Sequence, residues 1–335
     1  DQYETPSFRG IASTISLEDT QFTGGLCYDS AAKKLWALTA RKVEATDPAT
    51  GDPVFHIVNE ITRIDPFTGH TEAFPLASSD STNIACTEGE LLIWHENGVI
   101  SKHSLQNGSL LAPSVSYSLG STNLVPAALA AGTAPIEFVV QMPAHNDGSP
   151  IGAVMTVGIP NGANLPGYIV RVGSGRDHMV VTPGIDPATS LRWQLSERIF
   201  FQLPPTYYVY VVNSGEDTVS VINPYLYVEP VPGTDPTGLI ARLPVGKCPT
   251  DVEVTADGRY AFVTNTGEGT ISIIDTITLT EIDLDSEIPG IQRIVTGNQP
   301  NYITLHPEKS IGFATDRISG NLFEFSTDIS HLKEK

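Results

Sequence analysis

Cys27, Cys86 and Cys248 are the only three cysteines, and none sits in a Cys-x-x-Cys or Cys-x-x-Cys-His spacing. The spacing therefore encodes neither a redox dithiol nor a haem attachment. Cys248 follows Lys247 in Gly246-Lys-Cys-Pro249, and a nearby ammonium lowers a thiol's pKa. With no histidine motif beside it, Cys248 reads as a thiol without a catalytic role. The eight histidines, His56, His70, His95, His103, His145, His178, His306 and His331, form no His-Glu-x-x-His or His-x-His pair, so no zinc motif is written locally. His95 and His306 fall at predicted turns and read as solvated turn residues. Glu281, Asp283, Asp285 and Glu287 alternate, which on a strand would put four carboxylates on one face. Calcium favours oxygen ligands but is wrapped by turns. The expectation here is an exposed acidic outer strand that resists edge pairing.

The elements that must position these groups are written as a repeat. Tyr208-Val-Tyr-Val-Val-Asn213 followed by Thr218-Val-Ser-Val-Ile-Asn223 recurs as Tyr260-Ala-Phe-Val-Thr-Asn265 followed by Thr270-Ile-Ser-Ile-Ile-Asp275, at an offset of 52 residues. A fixed period of this size is the mark of a repeat architecture. One unit opens with the turn Gly246-Lys-Cys-Pro249 and continues as the alternating strand Asp251–Thr255. Asp257-Gly258 makes a hairpin turn. Tyr260–Thr264, Thr270–Asp275 and Glu281–Asp285 are the second, third and fourth strands. The next unit, from Gly297 to Phe325, keeps this skeleton and lacks a fourth strand. Arg9–Ser16 alternates and is expected to supply that strand from the other end of the chain, removing the open edges.

These motifs resemble the YVTN family of β-propeller repeats, strongly from about Tyr207 to Phe325 and in degenerate form before that. The resemblance implies an all-β, single β-propeller of four-stranded antiparallel blades over residues 1–335. Seven blades are expected from about 50 residues each, with six the alternative. Residues 1–20 carry the closing strand, 40–56 and 224–237 are long loop insertions, and 328–335 is a tail. Cys27 and Cys86 then lie on innermost strands of neighbouring units. Buried free thiols are the expected state, with pairing as the alternative in an oxidising compartment. The motif names a fold and leaves the activity open.

Net charge is −19, with 19 Lys plus Arg against 38 Asp plus Glu. Such acidity repels nucleic acid and anionic membranes. No stretch reaches the ~18 apolar residues of a transmembrane helix. The acidity, the low lysine content and the family resemblance together suggest an extracellular, periplasmic or cell-surface location. Asn107-Gly-Ser109 is a glycosylation triplet in a host that modifies it.

In a propeller, the loops entering each innermost strand and those joining the second and third strands gather around the channel. The binding rim expected here comprises Lys247, Asp251, Gln299, Asn301, Arg317 and Asp217, together with Thr250, Asn298, Asp316, Asn213 and Asn265. The last two recur, so their expected role is to cap a turn by bonding local backbone. Lys247, Gln299 and Arg317 are not required by the repeat and are the better candidates for function. No catalytic set can be placed and no cofactor is identified. A divalent cation in the channel stays open, because residues far apart in sequence converge there. The reading is an exported, non-enzymatic binding or scaffold propeller presenting a loop-rich face to a protein or cell-surface partner. The alternative is a lactonase-like hydrolase or lyase with a metal at the channel.

Overall fold

The computed structural model describes residues 11–17, 20–78, 81–86, 90–95, 99–116, 128–131, 138–142, 153–157, 169–171, 179–181, 208–222, 239–297 and 299–333. The 224–237 insertion and Asn298 lie outside them. After β1 (Ile11–Ser16), a first sheet holds β2 (Thr20–Asp29), β3 (Lys34–Thr46), β4 (Pro53–Ile64) and β5 (Thr71–Pro75). The second holds β6 (Ser81–Cys86), β7 (Glu90–His95), β8 (Val99–Ser104) and β9 (Leu110–Ser116). The third holds β10 (Ala128–Ala131), β11 (Phe138–Met142), β12 (Ala153–Val157) and β13 (Ile169–Arg171). The fourth holds β14 (Met179–Val181), β15 (Val209–Asn213), β16 (Thr218–Ile222) and β17 (Leu239–Pro244). The fifth holds β18 (Pro249–Val254), β19 (Tyr260–Asn265), β20 (Thr270–Asp275) and β21 (Thr280–Glu281), with β22 (Ile294–Val295) also paired to β20. The sixth holds β23 (Pro300–Leu305), β24 (Ile311–Asp316) and β25 (Asn321–Ser326), and β1 pairs with β25 as its fourth strand. Six sheets are thus formed by the described residues. A short helix, Ile329–Lys333, follows where only a polar tail was expected.

This is an all-β, propeller-like fold. The first strands neighbour one another in the order β2, β6, β10, β14, β18 and β23, and β23 lies against β2. The core lies between sheets, face to face. Tyr210, Val212, Val219 and Val221 of the fourth sheet meet Val252, Val254, Ala261 and Val263 of the fifth. On the other side of the fifth sheet, Phe262, Ile271 and Ile273 meet Ile303, Leu305, Ala314 and Phe325 of the sixth. Alternate residues of one strand therefore enter two different cores, which is why β19 is apolar on both faces rather than on one. No described helix is long and apolar enough to cross a membrane.

The repeated residues have local causes. Asn213 Nδ2 donates to Thr218 Oγ1 (3.1 Å) and Ser220 Oγ (3.0 Å), and Asn265 Nδ2 donates to Thr270 Oγ1 (3.1 Å) and Ser272 Oγ (2.8 Å). The repeated Asn thus binds hydroxyls of the following strand and not the backbone of its own turn. A Cβ on Gly246 would lie 2.5 Å from the Asn265 amide nitrogen, so the entry glycine and the Asn form one packed unit. Gly258 sits at φ +71° in the Asp257-Gly258 hairpin, a conformation suited to glycine.

The 40–56 insertion is not a loop. β3 and β4 pair without interruption from Leu35↔Ile64 to Thr46↔Pro53. Pro48, Gly51 and Pro53 mark only the tip, and the alternation of Val43 and Ala45 with charged neighbours is strand pattern. β2 pairs with β3 only as far as Thr20↔Arg41, and β5 pairs with β4 only from Glu60 onward. Beyond those rungs a two-stranded ribbon leaves the sheet.

Candidate functional site

The residues expected on the rim fall into separate groups, two of them links between sheets. Lys247 Nζ donates to Asp217 Oδ2 at 2.9 Å, and the Cys248 backbone N–H donates to Asp217 Oδ1 at 2.8 Å. Asp217 is held at φ +54° in the turn before β16. The Lys247 ammonium, followed by the Cys248 N–H, holds its carboxyl below the ordinary carboxylate range. This pair ties the fourth sheet to the entry turn of the fifth. Lys247, singled out because the repeat does not require it, makes that link with an exposed side chain.

Asp251 is buried on β18. Its Oδ2 accepts from the Ile303 N–H of β23 at 2.9 Å, and its Oδ1 accepts from the Val252 N–H at 2.8 Å. Burial pushes its pKa well above the usual value, against the pull of those two donors. The buried Asn301 offers its carbonyl to Thr250 Oγ1 (3.0 Å) and Thr264 Oγ1 (2.9 Å). Asp251, Thr250 and Thr264 thus tie the first two strands of the fifth sheet to β23 of the sixth. Gln299 and Arg317 are exposed, and the Gln299 carbonyl accepts the Arg317 N–H at 3.0 Å. Among the described residues the expected rim is therefore an ion pair, an inter-sheet strut and an exposed Gln–Arg corner, with no single cradle.

Glu253 was missed. It shares β18 with Asp251, its Oε1 accepts the Val254 N–H at 3.3 Å, and burial pushes its pKa up to about 7. Nearby Tyr302 of β23 is pushed up to about 12, by burial first and then by the Asp251 charge. The available signal was a charged residue at the register position filled by Thr304 in the next unit.

Two histidine expectations are corrected. His95 is buried and lies in a chain of hydrogen bonds across the second sheet. His103 Nδ1 faces the Gly108 carbonyl at 2.9 Å, so it must donate, and His103 Nε2 then accepts from Ser101 Oγ at 3.0 Å. Ser101 Oγ in turn accepts from His95 Nε2 at 2.8 Å, and His95 Nδ1 accepts from Ser81 Oγ at 3.2 Å. This assignment satisfies every member with both rings neutral, and burial lowers the pKa of His103. His306 is also buried. Its Nδ1 accepts the N–H groups of Glu308 and Lys309, and its ring rests 4.6 Å from that of Tyr28.

The four acidic residues after β20 do not line one face. Glu281 forms a two-pronged bond with Arg293 at 2.7 and 2.9 Å. Asp283 accepts the N–H groups of Asp285 and Gln292, while Asp285 accepts that of Glu287. Leu284 is buried between them. Strand pairing stops at Glu281 because Asp283 and Asp285 fold the chain into turns. Among the described residues, no group of three or more His, Cys, Asp or Glu side chains is arranged to hold a metal ion.

Cys27 on β2 and Cys86 on β6 form a disulfide, with Cα atoms 5.7 Å apart. Buried free thiols had been the expected state. The bond staples the innermost strands of the first and second sheets. Cys248 is free and exposed.

No protein-family model matches the sequence, and no curated protein matches it. Solved structures do match in shape. Kuenenia stuttgartiensis hydrazine synthase is similar at a TM-score of 0.54 and 12% identity, over 92% of this chain and 97% of that one. Regucalcin, a calcium-binding protein from Agrobacterium tumefaciens, is similar at a TM-score of 0.53 and 12% identity, over 94% of this chain and 93% of that one. At that identity the likeness concerns the fold, and with the six sheets it defines the class as propeller-like.

Proposed function

We propose that this chain is a non-enzymatic binding or scaffold propeller that works outside the reducing cytosol, and that the β3–β4 ribbon is its contact element. The observation that carries this reading is the ribbon's exposed apolar surface. Val54, Phe55 and Ile57 are 37, 53 and 74% exposed on a two-stranded element that has left its sheet. An isolated hairpin is marginal in water, and apolar side chains on such an element mark an interaction site. The Cys27–Cys86 bond supports export, since structural disulfides persist in oxidising compartments. The same reading takes the ring as six YVTN-type blades closed by β1 on β25. It is supported by the cycle of first-strand neighbours and by the length that the ribbon absorbs.

The test is a photo-crosslinking residue placed at Phe55, with Asn107 as an exposed control, in the native host. A protein captured from position 55 and not from 107 is the expected result. Equal capture from both positions, or none from either, would remove the ribbon as the contact element.

Glu253 favours a second reading, a divalent cation at the innermost strands as in a hydrolase or lyase. Regucalcin, a calcium-binding protein, has a similar fold. Calcium titration of the wild-type protein and of Glu253→Gln tests it. Saturable heat lost in the variant supports it, and identical flat titrations end it.

A further inference from the structure

The two edges of the ribbon differ. On β3 the open edge, beyond the Thr20↔Arg41 rung, carries Lys42 and Glu44, charges by which native sheets discourage edge-to-edge pairing. On β4 the open edge, Pro53-Val-Phe-His-Ile-Val58, has no Asp, Glu, Lys or Arg. It is rich in β-branched and aromatic residues, the composition that pairs with another strand. The direction of its backbone groups follows from the last rung to β5, where the Asn59 carbonyl accepts the Leu76 N–H at 2.9 Å. Backbone groups alternate in direction along a strand, so those of Phe55 and Ile57 also face the open edge. Those of Val54, His56 and Val58 face β3.

We propose that a second copy of this chain pairs with this edge, residues 53–58 running antiparallel to the same segment of the other copy about a two-fold axis at His56. This names the partner of the ribbon and rests on the reading of the ribbon as contact element. In this register Phe55 stands opposite Ile57 of the other copy, and Ile57 opposite its Phe55. The outward N–H and C=O groups of all four residues are then used. Shifting the register by two in either direction places Phe55 or Ile57 opposite Pro53, which has no N–H, or Asn59, whose carbonyl is already bonded. Phe55–Ile57 is an aromatic–β-branched cross-strand pair, a favourable combination. On the opposite face Val54 meets Val58. The edge is thus complementary to itself, as an isologous contact requires. Charge also permits a like partner. The ribbon continues past Arg41 for about five residues at ~3.4 Å each. That length exceeds the ~8 Å screening length of physiological salt, so two bodies of net charge −19 stay apart while their ribbons join.

The test is sedimentation velocity on the full chain over a range of concentrations. A dimer that dissociates on dilution is expected. Ile57→Lys, which charges the edge, should abolish it. Ile57→Pro should do the same, since it removes an outward donor while sparing every β3–β4 bond. Both variants should keep the wild-type thermal melt. A positive arm uses His56→Cys in a Cys248→Ser background, which should oxidise to a linked dimer across the axis, because directly opposed residues there have Cα atoms about 4.5 Å apart. A wild-type chain that stays monomeric, or a dimer that survives both Ile57 variants, overturns the proposal. A monomer whose position 55 still captures a different protein leaves the binding reading standing with another partner. A monomer with no capture removes both.

Discussion

Burial raises the pKa of both carboxyls on β18, Asp251 and Glu253. Glu253 is pushed up to about 7 by burial, from an ordinary value of 4.5. Its folded pKa exceeds its unfolded one, so the folded protein holds more protons between those values and loses stability as pH rises through them. Glu253→Gln escapes that cost. The variant should match the wild type in melting temperature below pH 4.5, exceed it increasingly as pH rises from 4.5 to 7, and hold a level lead above that. A constant gap across that range would show that the carboxyl is solvated in the fold. His103 acts in the opposite sense, since burial lowers its pKa. Its contribution is complete above its unfolded value of about 6.5 and is lost as pH falls through the folded one. Neither residue announced itself in the sequence. Asp251 and Ile303 lie one repeat apart, and a bond between repeats leaves no local spacing to read. The partners in the His95–Ser101–His103 chain are set by cross-strand register, and that was legible only in the last third of the chain.

Turns and strands were most legible where they obey local rules. The entry Gly246, the Asp257-Gly258 hairpin and the alternation in β18 to β20 were all readable, because each reflects a backbone conformation or a single face. The β3–β4 ribbon was misread because Pro48, Gly51 and Pro53 crowd its tip and resemble loop punctuation. The acidic segment was misread for the opposite reason, since period-two charge suggested a strand where Asp283 and Asp285 make turns. The link between Cys27 and Cys86 belongs to this scale as well. It encloses a separation of 59 residues, for which loop-closure entropy gives about 4 kcal/mol. Reduction with dithiothreitol, or Cys27→Ser with Cys86→Ser, should lower stability by about that amount in urea unfolding. An unchanged midpoint would mean that the pair does not constrain the unfolded chain.

At the scale of the whole molecule, the fifth sheet shares one core with the fourth and another with the sixth, so a loose sheet exposes apolar surface on two sides. β1 completes the sixth sheet by pairing with β25, from Ser16↔Asn321 to Ile11↔Phe325. Deleting residues 1–16 should uncover the β25 edge and the apolar cluster of Leu17, Phe22, Leu35, Phe313 and Leu322 beside it. Amide exchange in β25 should then rise strongly over the wild type, with smaller increases in β24. Protection of β25 that survives the deletion would mean that the sixth sheet stands without β1. The sequence foresaw this pairing, because a unit with three strands at one end and an orphan alternating strand at the other can be satisfied in few ways.

The β1–β25 pairing also dictates an order of events during synthesis. These strands come from opposite ends of the described chain, so every sheet between them must emerge before the sixth can be finished. Contacts of such long sequence separation form slowly. Until they form, β25 offers an unpaired edge to any neighbouring nascent chain. The molecule passes through a vulnerable interval late in its biogenesis, and a chaperone that shields extended backbone would act on it then, at β25.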